Sequence, residues 1–439
     1  MIRHETPQEV ACALARWSPR HLRTVLDPAV GSGILISSLL DRSPEKVERV
    51  VGIDTDPDIL QCIRQRFGGL LGSSLSLVCT DFLRWEPSDA GPTLQDGFDC
   101  IIMNPPFAGK RKFPSQVFEE VEGRFPHRVR FAPLEGAFVL KAIRLLKPGG
   151  RLLAILPNSI MAADSGRPIR HSLLTTGSIV YVHELPAYTF PHVEARVYLL
   201  VYEKAAKRRA VVLCNHRLVN PDRLVLSITA LGEGLRLDYE FQATRRWHRE
   251  LKLAAAPAGW SPLREHAEVR RGSAESPSGA ESAVHSTDFH SGFWFLHRVE
   301  GITTLSTRDG IRSSDLLVKR VGRRCAESVG PVVGSGAPEW TDCLICIRPK
   351  RPRDRLRLLF ALRTLLAFEQ GRSLLQRGTG ASYITERDLR NLSIPFQLSM
   401  VYPQLYASYL IAVRQRNYGR MLQVEQEVHR LVGKQVLAA

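Results

Sequence analysis

Four apolar stretches of strand length in the first 104 residues each finish on a polar side chain: TVLD at Asp27, VVGID at Asp54, SLSLVCTD at Asp81 and FDCIIMN at Asn104. The first two are followed by stretches with helical periodicity, ILISSLL and PDILQCIRQRF. Strands alternating with helices build an open, mostly parallel α/β sheet with helices on its faces. The polar residues then fall at the carboxyl ends of successive strands, the edge where such sheets bind ligands. Taken singly, each is a solvated turn residue; four in order mark a site.

Further elements extend the pattern. Residues 7–16 read as a short helix with Thr6 as N-cap and Pro7 in the first turn. FVLKAIRLLKPGGRLLAILPN reads as helix, Gly turn and strand, and IVYVHELP and ARVYLLVYEK as two more strands. After about residue 205 the pattern changes. RRGSAESPSGAESAVHS (270–286) has the composition of a long loop. SSDLLVKRVGRR and TDCLICIRPKR read as strands with basic ends, and RLRLLFALRTLLAFEQGRSLL as an apolar-faced helix. TERDLRNL is a helix capped by Thr385, and 403–435 has helical spacing. The expected architecture is a Rossmann-like α/β unit over 1–240 followed by an α+β unit over 241–439.

Charge divides in the same way. The first 205 residues carry 24 basic and 22 acidic side chains, whereas the rest carry 36 and 22, so nearly all of the formal charge of +16 lies in the second part. A near-neutral catalytic part joined to one that grips a polyanion has this distribution; a solvated surface is the plain alternative. The eight cysteines are sparse. Cys343 and Cys346 form a C-x-x-C with no second pair at ligand spacing, which reads as core thiols in a reducing compartment and implies no metal. No apolar run approaches the ~18 residues of a membrane span. MIRHETPQEV lacks the apolar core of a signal peptide, so the expectation is a cytoplasmic protein.

The loop Asp27-Pro28-Ala29-Val30-Gly31-Ser32-Gly33 lies between a strand and a helix. Its glycines permit a tight turn and close approach of a ligand. A dinucleotide fingerprint would continue to a third Gly, but that position is Ile36, which argues against a pyrophosphate. Asp54 is placed to accept from both ribose hydroxyls and Asp81 from an adenine amino group. Phe82 adds a backbone N–H and a ring. Together these describe an adenosine site.

The ordered segments HETPQEV (4–10), LDPAVGSG (26–33), VGIDTDP (51–57), TDF (80–82), NPPF (104–107), LEGAFVLKAIRLLKPGGRLLAILP (134–157) and YTFPHVEARVYLLVYEK (188–204) resemble the adenine-N6 DNA methyltransferases of restriction–modification systems. The match is to the gamma class, whose S-adenosylmethionine (AdoMet) motifs precede a C-terminal target recognition domain, and it covers about 1–205 closely. The resemblance implies AdoMet as methyl donor, no metal, and double-stranded DNA as partner. It also implies a cognate restriction endonuclease as a further partner, with no oligomer required. Thr6 and Asp27 would hold the methionine end, joined by Ala29, Gly31 and Gly33 of the loop. Phe138 would contact the adenine of the donor, with plain helix packing as the alternative.

The chemistry of Asn104-Pro105-Pro106-Phe107 agrees. An adenine N6 is a poor nucleophile because its lone pair is delocalised. It gains reactivity when its N–H groups donate to fixed acceptors, here the side-chain carbonyl of Asn104 and the backbone carbonyl of Pro105. The prolines fix the backbone and leave no competing N–H. No strong base is needed, so catalysis is positioning and preorganised dipoles. A duplex adenine must be flipped out, at a cost of a few kcal/mol. Stacking returns ~1–3 kcal/mol per base. Phe107 and Phe190 are the candidate faces, against the alternative of buried wall residues.

Lys110, Arg111, Lys112, Arg124, Arg128 and Arg130 lie between NPPF and LEGAF, and Lys319, Arg320, Arg323, Arg324, Arg348, Lys350, Arg351 and Arg353 in the second part. All are candidate phosphate contacts, with Lys110, Arg111, Lys319, Arg320, Arg323, Arg324 and Arg351 foremost. RGTGASYITERDLRNLSIP (377–395) resembles, more loosely, the close of recognition domains. Three rival readings remain. An RNA adenine-N6 methyltransferase shares the tetrapeptide chemistry. A protein glutamine-N5 methyltransferase does too, but places its substrate domain before the Gly loop, whereas here 26 residues precede Asp27. A non-catalytic DNA-binding relative would be expected to lose Asp27, Gly31 or Asn104.

Overall fold

The computed structural model describes residues 5–42, 47–87, 97–107, 133–186, 189–190, 196–208, 210–232, 234–272, 284–295, 310–322, 324–334, 340–377 and 382–438, with side chains to 432. Two compact units emerge, Met1–Gln242 and Ala243–Ala439.

The first unit is built on nine strands: β1 (Thr24–Asp27), β2 (Arg49–Asp54), β3 (Leu75–Cys79), β4 (Phe98–Met103), β5 (Leu146–Pro157), β6 (Gly177–Glu184), β7 (Val197–Lys204), β8 (Ala210–Cys214) and β9 (Arg223–Ser227). Their order is β3-β2-β1-β4-β5-β7-β6-β8-β9. β1 to β5 are parallel. β7 runs antiparallel between β5 and β6. The order reverses between β1 and β4, so the crevice beyond their carboxyl ends is the topological switch point.

Strand periodicity decides which side chains cover which face. Cys100 and Ile102, Leu153 and Ile155, and Leu199 and Val201 turn to one face, packing with Val10 and Leu14 of the helix Gln8–Ala15 and Leu35 and Leu39 of the helix Ile34–Leu40. The helix Pro57–Leu71 is capped by Asp56, whose carboxylate accepts from the Asp58 N–H. It buries Leu60, Ile63 and Phe67 against Val30, Ile36 and Val50.

Two expectations change here. The helix Leu134–Leu145 runs straight into β5, and the expected Gly turn at 149–150 is part of that strand. Leu146 already pairs with Phe98, and the register shifts between Phe98 and Cys100. Gly150 makes this possible, because a Cβ there would stand 2.8 Å from the Phe98 carbonyl oxygen. β8 and β9, unread in the sequence, carry the sheet beyond residue 205.

At the amino edge Asp99 ties three strands together. Its carboxylate accepts from the N–H groups of Thr24 (2.8 Å) and Arg23 (3.1 Å), the Thr24 hydroxyl (3.0 Å) and the Lys147 ammonium (3.0 Å). Burial pushes its pKa up, but Lys147 and the Thr24 donors outweigh burial and hold it below the ordinary carboxylate value.

The second unit is α+β. Its larger sheet has the order β11-β16-β14-β15-β13-β12, and β10 pairs with β17 alone. The ranges are β10 (Trp260–Pro262), β11 (Ala267–Arg271), β12 (Phe289–His290), β13 (Phe293–Phe295), β14 (Leu316–Lys319), β15 (Gly330–Val333), β16 (Leu344–Pro349) and β17 (Ser393–Pro395). The helices Arg355–Ala367, Pro403–Arg414 and Tyr418–Ala438 pack beside them. The long helix expected from Arg355 breaks at Phe368, whose backbone is extended and whose ring packs on Trp247 and His429. Thr385 does cap the helix Glu386–Asn391, accepting from the Asp388 N–H. Buried charges in this unit are closed on each other. Arg348 pairs with Asp315, and Arg363 pairs with Glu425, which also accepts from the Tyr409 hydroxyl at 3.0 Å.

Candidate active site at the carboxyl edge of the sheet

β1 delivers Asp27 to the switch point fully buried. One oxygen, Oδ1, accepts from the Ala29 N–H at 3.1 Å, and Oδ2 is buried with no partner. Burial raises the carboxyl pKa to about 7, the Ala29 N–H lowers it, and the nearby Asp54 charge raises it further. The loop after β1 is strapped to β2: the Val30 N–H donates to the Ile53 carbonyl at 2.9 Å and the Gly31 N–H to Asp54 Oδ2 at 3.2 Å. Gly31 and Gly33 both have positive φ, 48° and 75°. Two N–H groups that could cradle a phosphate are thereby committed to aspartates. With Ile36 packed in the core, the loop suits a ligand that brings donors.

Asp81, just past β3, is exposed and opens a turn in which its Oδ1 accepts from the Leu83 N–H at 3.0 Å. Phe82 is 2% exposed and Phe138 6%, and their rings meet at 5.0 Å between centroids. These rings form a buried wall behind Asp81.

β4 ends at Met103 and sets Asn104-Pro105-Pro106-Phe107 beside that edge. The Asn104 amide nitrogen donates to the Thr6 hydroxyl at 3.0 Å, leaving the side-chain carbonyl oxygen buried without a partner. Thr6 therefore does not cap the first helix; the cap position is Pro7, and no side chain bonds there. The threonine is committed instead to a residue 98 positions away, a pairing no local signal can show. Phe107 is half-buried against an apolar cluster that contains Phe190, Val10, Leu14 and Leu39. Phe190 is only 2% exposed, so its ring belongs to that cluster in this structure.

Two acidic residues join the edge that the sequence reading passed over. Glu135, in the first turn of its helix, is 4% exposed; Oε1 accepts from the Ser159 hydroxyl at 2.7 Å and Oε2 is buried and unpartnered. Burial raises its pKa, opposed by the Ser159 hydroxyl. Glu184 ends β6 with Oε1 likewise buried and unpartnered. Burial pushes its pKa up to about 8, with Asp238 adding and Arg196 opposing. A lone Glu at a helix start or strand end gives no sequence signal of burial. The carboxyl edge thus carries buried oxygens without partners on Asp27, Asn104, Glu135 and Glu184, which suit a ligand that brings N–H or O–H donors.

The basic candidates of the second unit separate into committed and available groups. Arg320 donates to the backbone and carboxylate oxygens of Asp342, and Arg348 is held by Asp315. Both are thus paired within the unit's own fold. The Lys319 ammonium lies 5.7 Å from the Phe289 ring centroid. Arg324 is 84% exposed, its guanidinium 4.0 Å from the Glu327 carboxylate, and Arg351 is exposed. Lys110, Arg111, Lys112, Arg124, Arg128, Arg130 and Arg323 lie outside the described residues. Among the described residues no group of His, Cys, Asp or Glu is arranged to hold a metal, and no helix is long and apolar enough to cross a membrane.

Residues 74–190 match the Eco57I restriction-modification methylase family. The type II methyltransferase M.TthHB8I of Thermus thermophilus is 29% identical over 196 residues, 43% of this chain and 41% of that one. M.AccI of Acinetobacter calcoaceticus, also a type II methyltransferase, is 24% identical over 40% of this chain and 32% of its own. The chain therefore spans well under half the length of these curated relatives. Among solved structures, the type IIL restriction-modification enzyme MmeI shares the fold over 97% of this chain and 72% of its own, with a TM-score of 0.53 and 12% identity. By the sequence of residues 74–190 the chain is similar to the restriction–modification methylases, and its fold is similar to that of MmeI.

Proposed function

We propose that this protein is a DNA methyltransferase that moves the methyl group of AdoMet to N6 of an adenine flipped out of duplex DNA. The observation that carries the reading is the Asn104 carbonyl oxygen, buried and unpartnered on a proline-stiffened segment. Such an atom is costly to keep unless a ligand donates to it.

The edge residues fit AdoMet by their donor and acceptor chemistry. Asp27 Oδ2 would take the ammonium of the methionine end, Asp54 the ribose hydroxyls, and Asp81 with the Phe82 N–H the adenine, with Phe138 behind. When bound, AdoMet supplies a methyl made electrophilic by its sulfonium. Everything else falls to this chain. Asn104 Oδ1 and the Pro105 carbonyl receive the two N6–H groups and draw the lone pair out of conjugation. Thr6 holds the Asn104 amide so that its oxygen faces the acceptor. Neither carbonyl is a base, so the proton leaves N6 for water as the new N–C bond forms. Phe107 supplies the apolar surface for the base, with Phe190 in the cluster behind it. The second unit, with its basic excess, is assigned to gripping DNA, its phosphate contacts led by Lys319, Arg324 and Arg351. A cognate restriction endonuclease is a partner consistent with the relatives.

Transfer of labelled methyl from AdoMet to duplex DNA, with ribosomal RNA in parallel, tests the reading. Asn104→Ala should lower turnover by ~10²–10³-fold, as for other preorganised polar groups, while AdoMet and DNA affinities stay near wild type. Transfer to RNA alone would overturn the substrate, and undiminished turnover in Asn104→Ala would overturn the mechanism.

A further inference from the structure

Lys141 is a buried charge with no part in the chemistry above. It lies in the helix Leu134–Leu145, one turn beyond Phe138, and its side chain is 4% exposed. Its ammonium donates to the backbone carbonyls of Leu83 (3.2 Å) and Trp85 and to the Glu86 carboxylate (3.3 Å). It also lies 5.3 Å from the Phe82 ring centroid. Three N–H donors thus meet three oxygens, which offsets the cost of burying a cation.

All these partners belong to the segment that follows β3. That segment is a tight turn closed by the Arg84 and Trp85 N–H groups on the Asp81 carbonyl, and by the Leu83 N–H on the Asp81 side chain. The turn carries Asp81 and Phe82, the proposed adenine contacts, and is further anchored by Trp85, buried against Phe98, and by Arg144, which pairs with Glu86 at 2.7 Å. Asp81 itself is exposed. Lys141 and Phe138 hold it from a single helix, one through its carbonyls and the other through Phe82.

We propose that Lys141 is a positioning residue for the adenosine end of the methyl donor, acting through the Asp81–Trp85 turn. This rests on the AdoMet reading of the edge. A displaced turn misplaces the Asp81 carboxylate and the Phe82 N–H, loosening whatever bears an adenine and leaving the amino-acid end alone. Lys141 should therefore govern ligand affinity, not the rate of transfer once the donor is bound.

The test is calorimetric binding of two ligands to the full chain: AdoMet, and 5′-methylthioadenosine, which lacks the amino-acid end. Lys141→Met should weaken both by the same factor, about tenfold, the worth of one displaced hydrogen bond, with kcat at saturating AdoMet within about twofold of wild type. Glu86→Gln, which leaves both carbonyl contacts intact, should bind both ligands as wild type does. Asp27→Asn should weaken AdoMet and spare methylthioadenosine. If Lys141→Met does not fold, Lys141→Gln, which keeps two N–H donors and no charge, should show a smaller loss shared by both ligands. Unchanged affinities in the Met or Gln variant, or a loss confined to AdoMet, would overturn the proposal. Wild-type protein that binds neither ligand would instead overturn the AdoMet reading beneath it.

Discussion

Asp99 and Asp27 stand at opposite ends of the same sheet, on neighbouring strands, and have been given opposite environments. Asp99, at the amino edge, receives two backbone N–H groups, a hydroxyl and an ammonium. Asp27, at the carboxyl edge, is more deeply buried yet receives one N–H and has an oxygen facing nothing. Their pKa values move apart accordingly, one below the ordinary value and the other to about 7. One edge completes its hydrogen bonding when the chain folds, and the other leaves it for a ligand. The second unit behaves like the amino edge: its buried carboxylates Asp315 and Glu425 are each held by an arginine.

The sharpest way to break this contrast is at Asp99. Asp99→Ala strands several donors and should lower unfolding free energy by about 2–4 kcal/mol. Chemical denaturation reads the loss, and AdoMet affinity of the folded fraction should hold. A variant that loses ligand binding and keeps its stability would erase the distinction.

Asp27→Asn should do the reverse, weakening AdoMet about 10–100-fold, the scale of a lost charge-assisted bond, with little change in denaturation midpoint. Its pH dependence has a definite sign. The folded pKa is raised from 3.8 to about 7, so the stability this group contributes is fully present below the unfolded value and is lost as pH rises through about 7. An ammonium ligand favours the ionised carboxylate, so binding expels a proton. Affinity should then climb by up to about tenfold per pH unit below 7 and level off above it. Titration calorimetry in buffers of different ionisation enthalpy would show the proton, and Asp27→Asn should release none.

A smaller effect separates the arginines of the second unit. Arg324→Ala should reduce the slope of log affinity for DNA against log salt by about one. Arg320→Ala should move the unit's denaturation midpoint and leave the slope where it was. Equal slopes in both variants would remove Arg324 from the interface.

Much of the first unit was readable because it is written in local terms. Strand ends at Asp27, Asp54 and Asn104 and the glycine loop depend on residues a few positions apart, and all stand where the spacing puts them. Pairings across long separations were not readable. Thr6 has the composition of a cap and bonds to Asn104. Arg320 and Arg348 look like a basic patch until Asp342 and Asp315 arrive from 22 and 33 positions away. Glu135 and Glu184 gave no sign, since burial of one acid is decided by what folds over it.

Gly31 and Gly33 look interchangeable on paper, two small residues in one loop. A side-chain atom at position 31 would meet only the Ala29 oxygen, at 3.9 Å, so its demand is almost wholly a backbone angle. At position 33 the same atom would stand 2.5 Å from Ile63 and 2.8 Å from Phe67, inside the helix Pro57–Leu71. A silent enzyme produced by Gly33→Ala would thus say little about the ligand, because the substitution strains the backbone and forces the Ile63 and Phe67 side chains to shift. Position 33 is thus held twice, by its backbone angle and by the two side chains against it, whereas position 31 is held by its angle alone.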